Sequence, residues 1–163
     1  MDEDCKTHYG YIARYVDDIL IFSKEPEELI KCLKLVYPLQ GVSVPEYYLG
    51  GDFKIHKSSN GIETFAFGAK TYLSNVCERI EKLLMNIVLK KYETPLATED
   101  HPETGDTGLL DSDAHSKYRM LIGSGQWSIT LGRFDVMFVI QTMARFSAAP
   151  KEGHLTRMLR VFG

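Results

Sequence analysis

The stretch Ala13-Arg14-Tyr15-Val16-Asp17-Asp18-Ile19-Leu20-Ile21 decides how the rest of the chain is read. Tyr11 to Phe22 is the most strand-like run in the sequence, with β-branched, aromatic and aliphatic residues on both sides of an aspartate pair. Two apolar runs around a short polar pair read as a hairpin, its turn at or beside Asp17-Asp18. The flanking strands are expected to be buried, and adjacent carboxylates between them repel each other and are costly to desolvate. A divalent cation resolves both costs: Mg2+ takes hard oxygen ligands, typically one or two carboxylates plus substrate phosphates. A plain polar turn is the competing reading, because aspartate is common in turns for its own hydrogen bonding.

Working outward, Pro26 suits a helix's first turn, and Leu29, Leu33, Val36 and Tyr37 recur at helical spacing until Pro38 and Gly41. Tyr47 to Ile55 reads as one strand, Asn60-Gly61 as a turn, and Ile62 to Phe67 as the returning strand. A long amphipathic helix is expected over 69–92, with Leu73, Val76, Ile80, Leu83, Leu84 and Ile87 as its stripe and Thr94-Pro95 as its exit. Residues 93–113 carry seven acidic residues, no Lys or Arg, two prolines and two glycines, which reads as a solvated acidic linker. Beyond it, Tyr118, Leu121, Ile122 and Ile129 predict one helix. Val136, Val139, Ile140, Met143 and Phe146 predict another after Gly132, and Leu155, Met158, Leu159 and Phe162 a third from near Pro150. The fold class is therefore α+β: two antiparallel hairpins with helices, then an all-helical segment.

The chain has 163 residues, 44% hydrophobic and 25% charged, with net charge −3. That is enough for a core, but it is not the basic balance of a typical nucleic-acid binder. The balance is uneven, however: the last fifty residues hold seven Lys/Arg and two Asp/Glu. Arg145, Lys151, Arg157 and Arg160 could meet the phosphates of a nucleic acid, or form a solvated helix face. Cys5, Cys32 and Cys77 form no metal or disulfide spacing, which suits a reducing setting, and Cys32 and Cys77, beside apolar helix positions, are expected to be buried small hydrophobes. No run approaches the ~18 apolar residues of a membrane span. The N-terminus lacks a secretion signal.

The hairpin resembles the catalytic palm hairpin of reverse transcriptases, most of all those of copia-type long-terminal-repeat retrotransposons. The likeness continues in order along the chain. Tyr47-Tyr48-Leu49-Gly50-Gly51 resembles the primer-grip hairpin, and the helix running to Thr94-Pro95 resembles the thumb side. Tyr118 to Ser124, Thr130 to Val136 and Ala144-Arg145-Phe146 are similar to the segment leading toward ribonuclease H. The resemblance implies a partial palm over 1–68, a thumb-side helix over 69–92, a linker over 93–113 and a helical segment over 114–163. It further implies that Asp17 and Asp18 ligate two Mg2+ ions, that Tyr15 lies near the primer terminus, and that Leu49 and Gly50 position the primer strand. The partners would be an RNA or DNA template–primer duplex and deoxynucleotides, in the cytoplasm or in retroelement particles. Gly51 and Phe134 stand where the family more often has an aliphatic residue and proline. The family's first catalytic aspartate and its fingers lie upstream of the matched region, so the chain alone is expected to be inactive. A non-catalytic nucleic-acid-binding remnant and a non-functional retroelement relic are the alternatives.

Weaker signals have plainer readings. Gly68-Ala69-Lys70-Thr71 lacks phosphate-loop spacing and reads as a helix start. The histidines at 8, 56, 101, 115 and 154 show no ligand spacing. Arg133-Phe134-Asp135 reads as a helix-start ion pair, and Trp127 as core.

Overall fold

A computed structural model describes residues 9–84 and 88–163, which fall into two compact units, Met1–Tyr48 and Leu49–Gly163.

In the first unit, β1 (Tyr11–Tyr15) pairs antiparallel with β2 (Asp18–Phe22), with Tyr11 opposite Phe22 and Tyr15 opposite Asp18. The helix α1 (Pro26–Lys34) starts at its proline and carries Glu27 and Glu28 in its first turn and Lys31 and Lys34 in its last. Both charge placements complement the helix dipole. It ends sooner than the apolar spacing predicts, leaving Val36 and Tyr37 outside it and exposed. A two-residue strand, β3 (Tyr47–Tyr48), closes the unit. Among the unit's described residues Leu20 is the one buried residue. Cys32 is exposed on a helix that buries nothing, which corrects its expected role as a small core hydrophobe.

The second unit opens on a hairpin of β4 (Gly51–Lys57) and β5 (Glu63–Gly68), in register from Asp52 opposite Gly68 to Lys57 opposite Glu63. Phe53 and Phe67 face each other with ring centroids 5.0 Å apart, as cross-strand aromatic pairs do. The expected single strand from Tyr47 to Ile55 is interrupted at Leu49 and Gly50, whose φ angles of 49° and 90° cannot continue a strand. Gly51 abuts the Phe67 ring, which fills the space a side chain would need.

The helix α2 (Lys70–Leu83) is shorter than the expected 69–92, with Leu84 as its C-cap. Residues 88–92 are irregular, and Ile87 of the predicted stripe lies outside the described residues. Its N-terminus is capped from β4: the Asp52 carboxylate accepts from the Thr71 N–H at 2.8 Å. Those Thr71 hydrogen bonds hold the Asp52 carboxyl below its ordinary value.

Three helices complete the unit: α3 (Ser112–Thr130), α4 (Met137–Ala144) and α5 (Glu152–Val161). Asp111 caps α3 by accepting from the Ala114 N–H at 2.8 Å. Gly132, with φ of 99°, follows its end. The Arg133–Asp135 pair is bidentate, at 2.8 and 2.7 Å, where the chain enters a 3-10 turn over Phe134–Val136. The core gathers Ile80 of α2, Tyr118, Leu121 and Ile122 of α3, Val139, Ile140 and Met143 of α4, and Met158 of α5. Their spacing on each helix is the apolar periodicity read from the sequence. Burial pushes the Tyr118 phenol up to about 12, and its hydroxyl donates to the Met143 carbonyl at 2.6 Å. Cys77 is half-buried, its thiol 3.4 Å from the Phe162 carbonyl and raised mainly by desolvation.

Segment 93–113 is mostly exposed, as its composition implies, but it does not separate two domains. Leu49–Gly163 is one unit, and the segment lies along α5 as a strap. The amides of Leu110 and Glu152 donate to Pro150 and Gly108 carbonyls at 2.9 Å, and Gly153 donates to the Thr107 hydroxyl at 3.0 Å. Pro102 of the strap is buried. Among the described residues no helix is long and apolar enough to cross a membrane.

Candidate functional site

The aspartate pair sits at the end of the first hairpin. Tyr15 pairs with Asp18, so the loop is two residues, Val16 and Asp17, and Asp18 is the first residue of β2. Strand alternation places Asp18 on the face that holds Tyr15, Ala13 and the buried Leu20. Val16 has φ of 51°, whereas Asp17 is not among the residues of positive φ. Positive φ at only the first loop position is the type II′ pattern, in which glycine is the usual occupant. A β-branched residue there is a backbone outlier, at a cost of roughly 1–2 kcal/mol. Such strain persists where the surroundings enforce it, and it clusters at functional sites.

Arg14 is one such support, and sequence reasoning missed it. Its Nε donates to the Val16 carbonyl at 3.1 Å, bridging the loop from the preceding strand residue. Nothing in the local pattern distinguishes this arginine from an ordinary solvated one.

Tyr15, Asp17 and Asp18 are all exposed, as is every residue of β1. The expectation of carboxylates between buried strands is corrected accordingly: only Leu20 of the hairpin is buried. Desolvation therefore does not set the chemistry of the pair; proximity and the fixed turn do. Two hard oxygen donors in open surroundings suit a divalent cation that keeps several waters. Among the described residues no group of three or more His, Cys, Asp and Glu is placed to hold a metal.

Leu49 and Gly50 are consecutive residues of positive φ, the pattern of a type I′ turn. Gly50 has a reason within its own unit. A Cβ there would stand 2.9 Å from the Trp127 Nε1 and 3.5 Å from a Leu131 methyl. The close approach that Gly50 permits is thus to α3. Trp127 packs beside this turn while 38% exposed, so it is not wholly core.

Of the four basic candidates, three turn onto the strap. Arg157 grips Asp100 with bonds of 3.0, 2.7 and 2.5 Å, the two side chains only 20% and 16% exposed. The Arg157 hydrogen bonds hold the Asp100 carboxyl below its ordinary value. Arg160 donates to the Thr94 carbonyl and hydroxyl at 3.0 and 3.2 Å and stacks over Tyr92 at 4.2 Å. Lys151 donates to the Gly105 carbonyl at 2.7 Å. Arg145 is exposed, and its charge is felt by Glu103 of the strap.

His154, one of the histidines without ligand spacing, is buried and caps the start of α5. Its Nδ1 accepts from the Lys151 N–H at 3.1 Å, which leaves the proton on Nε2, 3.1 Å from the Pro102 carbonyl. The ring also stacks on Phe146, 4.1 Å between centroids.

No family profile matches the chain, and no solved structure matches it. Over 155 residues, 93% of its length, the chain is 28% identical to a Saccharomyces cerevisiae protein named for the transposon Ty5-1. The aligned region is 47% of that protein, so the chain spans about half the length of the curated relative it matches.

Proposed function

We propose that the chain is a segment of a retrotransposon reverse transcriptase of the copia type, and that the hairpin ending in Val16-Asp17-Asp18 is its polymerase palm turn. The parent reaction is RNA-directed DNA polymerisation, in which a primer 3′-hydroxyl attacks the α-phosphate of a deoxynucleotide. One observation carries the reading: a strained, non-glycine turn that presents two adjacent exposed carboxylates. A merely polar turn has no use for a valine at φ 51°, since glycine or asparagine would fit there without strain. The similarity to a transposon protein over nearly the whole chain supports the same reading from outside the site.

Asp17 and Asp18 would hold Mg2+, whose charge favours both the attack and the departure of pyrophosphate. Asp17, at the turn, is the better-placed ligand, while Asp18, on the strand, fixes the angle between them. Tyr15 shares the Asp18 face and would lie against the primer terminus. Leu49 and Gly50 would shape the primer-side turn. The alternative of a purely nucleic-acid-binding remnant is less well supported, because the cations it would use already have partners on the strap.

The test uses Mn2+ as a paramagnetic stand-in, read by broadening of the backbone amides near the turn. Broadening should centre on residues 16–19 and vanish in Asp17→Asn. Broadening that survives this substitution would sink the reading. Primer extension on an RNA template, run alongside, separates competence from partial assembly: extension that depends on Asp17 would show the chain to be an active polymerase.

A further inference from the structure

Gly153, His154, Arg157 and Arg160 recur at helical spacing on one side of α5, the side opposite Leu155, Met158 and Leu159. That side is covered by the strap. A Cβ on Gly153 would come within 2.9 Å of the Arg157 Nη1 and 3.2 Å of the Thr107 hydroxyl, so no side chain stands between helix and strap. Lys151, Arg157 and Arg160 donate their hydrogen bonds to oxygen atoms: the Gly105 carbonyl, the Asp100 carboxylate, and the Thr94 carbonyl and hydroxyl. Anionic and carbonyl oxygens spaced along an extended chain are the chemistry that a phosphodiester backbone offers to the same cations. Charge is divided to match: seven acidic and no basic side chains in 93–113, against seven basic and two acidic beyond it.

We propose that the strap is an intramolecular stand-in for a nucleic-acid backbone. It occupies the cationic side of α5, and a nucleic acid competes with it for Lys151, Arg157 and Arg160. The inference rests on the reverse-transcriptase reading above, whose partner is a nucleic-acid duplex, and adds to it a built-in competitor. A duplex that engages this face lifts the strap away. Each cation freed to neutralise a phosphate adds about 0.9 to the slope of log affinity against log salt, so three add roughly 2–3.

The experiment compares the intact chain with a variant whose residues 94–107 are replaced by a Gly/Ser linker of equal length. Each is titrated with a short fluorescein-labelled DNA duplex over a range of NaCl. The released chain should bind about tenfold or more tightly at low salt, with a similar slope, since the same phosphates are neutralised once the strap is lifted. Replacing Lys151, Arg157 and Arg160 with Gln in that background should remove the gain and flatten the slope by roughly 2–3. Equal affinity in the two chains overturns the proposal while leaving the reverse-transcriptase reading standing. Failure of both to bind at low salt overturns the two together. A second measurement needs no variant: hydrogen exchange on the intact chain with saturating duplex. The amides of Leu110, Glu152 and Gly153, which hold the strap, should exchange faster with duplex than without. Unchanged or slower exchange there refutes the displacement.

Discussion

Replacing Arg157 with Ala removes the guanidinium that ties the strap to α5 and leaves Asp100 without its partner. Exposed ion pairs contribute about 0.2–1 kcal/mol, whereas breaking a buried one costs about 3–5 kcal/mol. With the two side chains 20% and 16% exposed and the contact bidentate, this pair lies between those limits. The expected loss is about 2 kcal/mol. Asp100→Asn keeps an acceptor for Arg157 and should cost roughly 1 kcal/mol, the scale of one weakened hydrogen bond. Urea unfolding followed by helical circular dichroism measures both, and the double variant closes a cycle. A coupling of about 1 kcal/mol is expected, because each residue's hydrogen bonds to the other are its largest interaction.

The pH dependence of this pair follows from the lowered Asp100 carboxyl, held down by the Arg157 hydrogen bonds. A depressed carboxylate contributes stability that is fully present above its unfolded value, about 3.9, and lost as pH falls through the folded value. The difference between the parent and Arg157→Ala should therefore shrink as pH drops below about 4. Additive losses within about 0.3 kcal/mol, or a difference that persists in acid, would refute the strap as a bonded element.

Tyr118→Phe should lower stability by about 1 kcal/mol, the net worth of one buried hydrogen bond, since the Met143 carbonyl keeps its bond from Phe146. In the parent, ultraviolet titration should leave one phenol silent until about 12. Ile140→Ala, at a fully buried site, should cost roughly 2–5 kcal/mol in the same urea assay. Val16→Gly should slow amide exchange across β1 and β2 by relieving strain, for a net gain of about 0.5–1 kcal/mol after the added chain entropy. The same substitution should weaken Mn2+ broadening at Asp17 if the strained turn sets the carboxylate. Only in acid, below about pH 4, should α2 fray at its start as the lowered Asp52 carboxyl protonates and its cap on Thr71 is lost, seen as faster exchange of the Leu73 amide.

What the sequence revealed follows from how local each signal is. Tyr118, Leu121 and Ile122, or Val139, Ile140 and Met143, mark helix faces because 3.6-residue periodicity is written in consecutive positions. The carboxylate turn was legible because strand-forming apolar runs stand on both sides of two adjacent charges. The break at Leu49-Gly50 was not, because Tyr47 to Ile55 is an unbroken strand-like run and only the positive φ angles interrupt it. The strap was hidden for a different reason. Its composition is that of a loop, and what orders it comes from α5, with partners 46 to 66 residues away in sequence. His154 shows the same limit, since its Pro102 partner lies 52 residues upstream. The exposure of β1 was unreadable because apolar strand residues carry no record of whether anything packs against them.

Burial is divided unequally between the two units, and this has a practical consequence. The clustered core belongs wholly to Leu49–Gly163, while Leu20 alone is buried among the described residues of the other unit. A cooperative melting curve will therefore report the helical unit and say little about the carboxylate turn. The hairpin's amides should exchange through small local openings that denaturant barely accelerates, whereas those of α3 and α4 should wait for global unfolding. A preparation can thus melt sharply and still have lost the geometry of Asp17 and Asp18, so the integrity of that turn has to be measured at the turn itself.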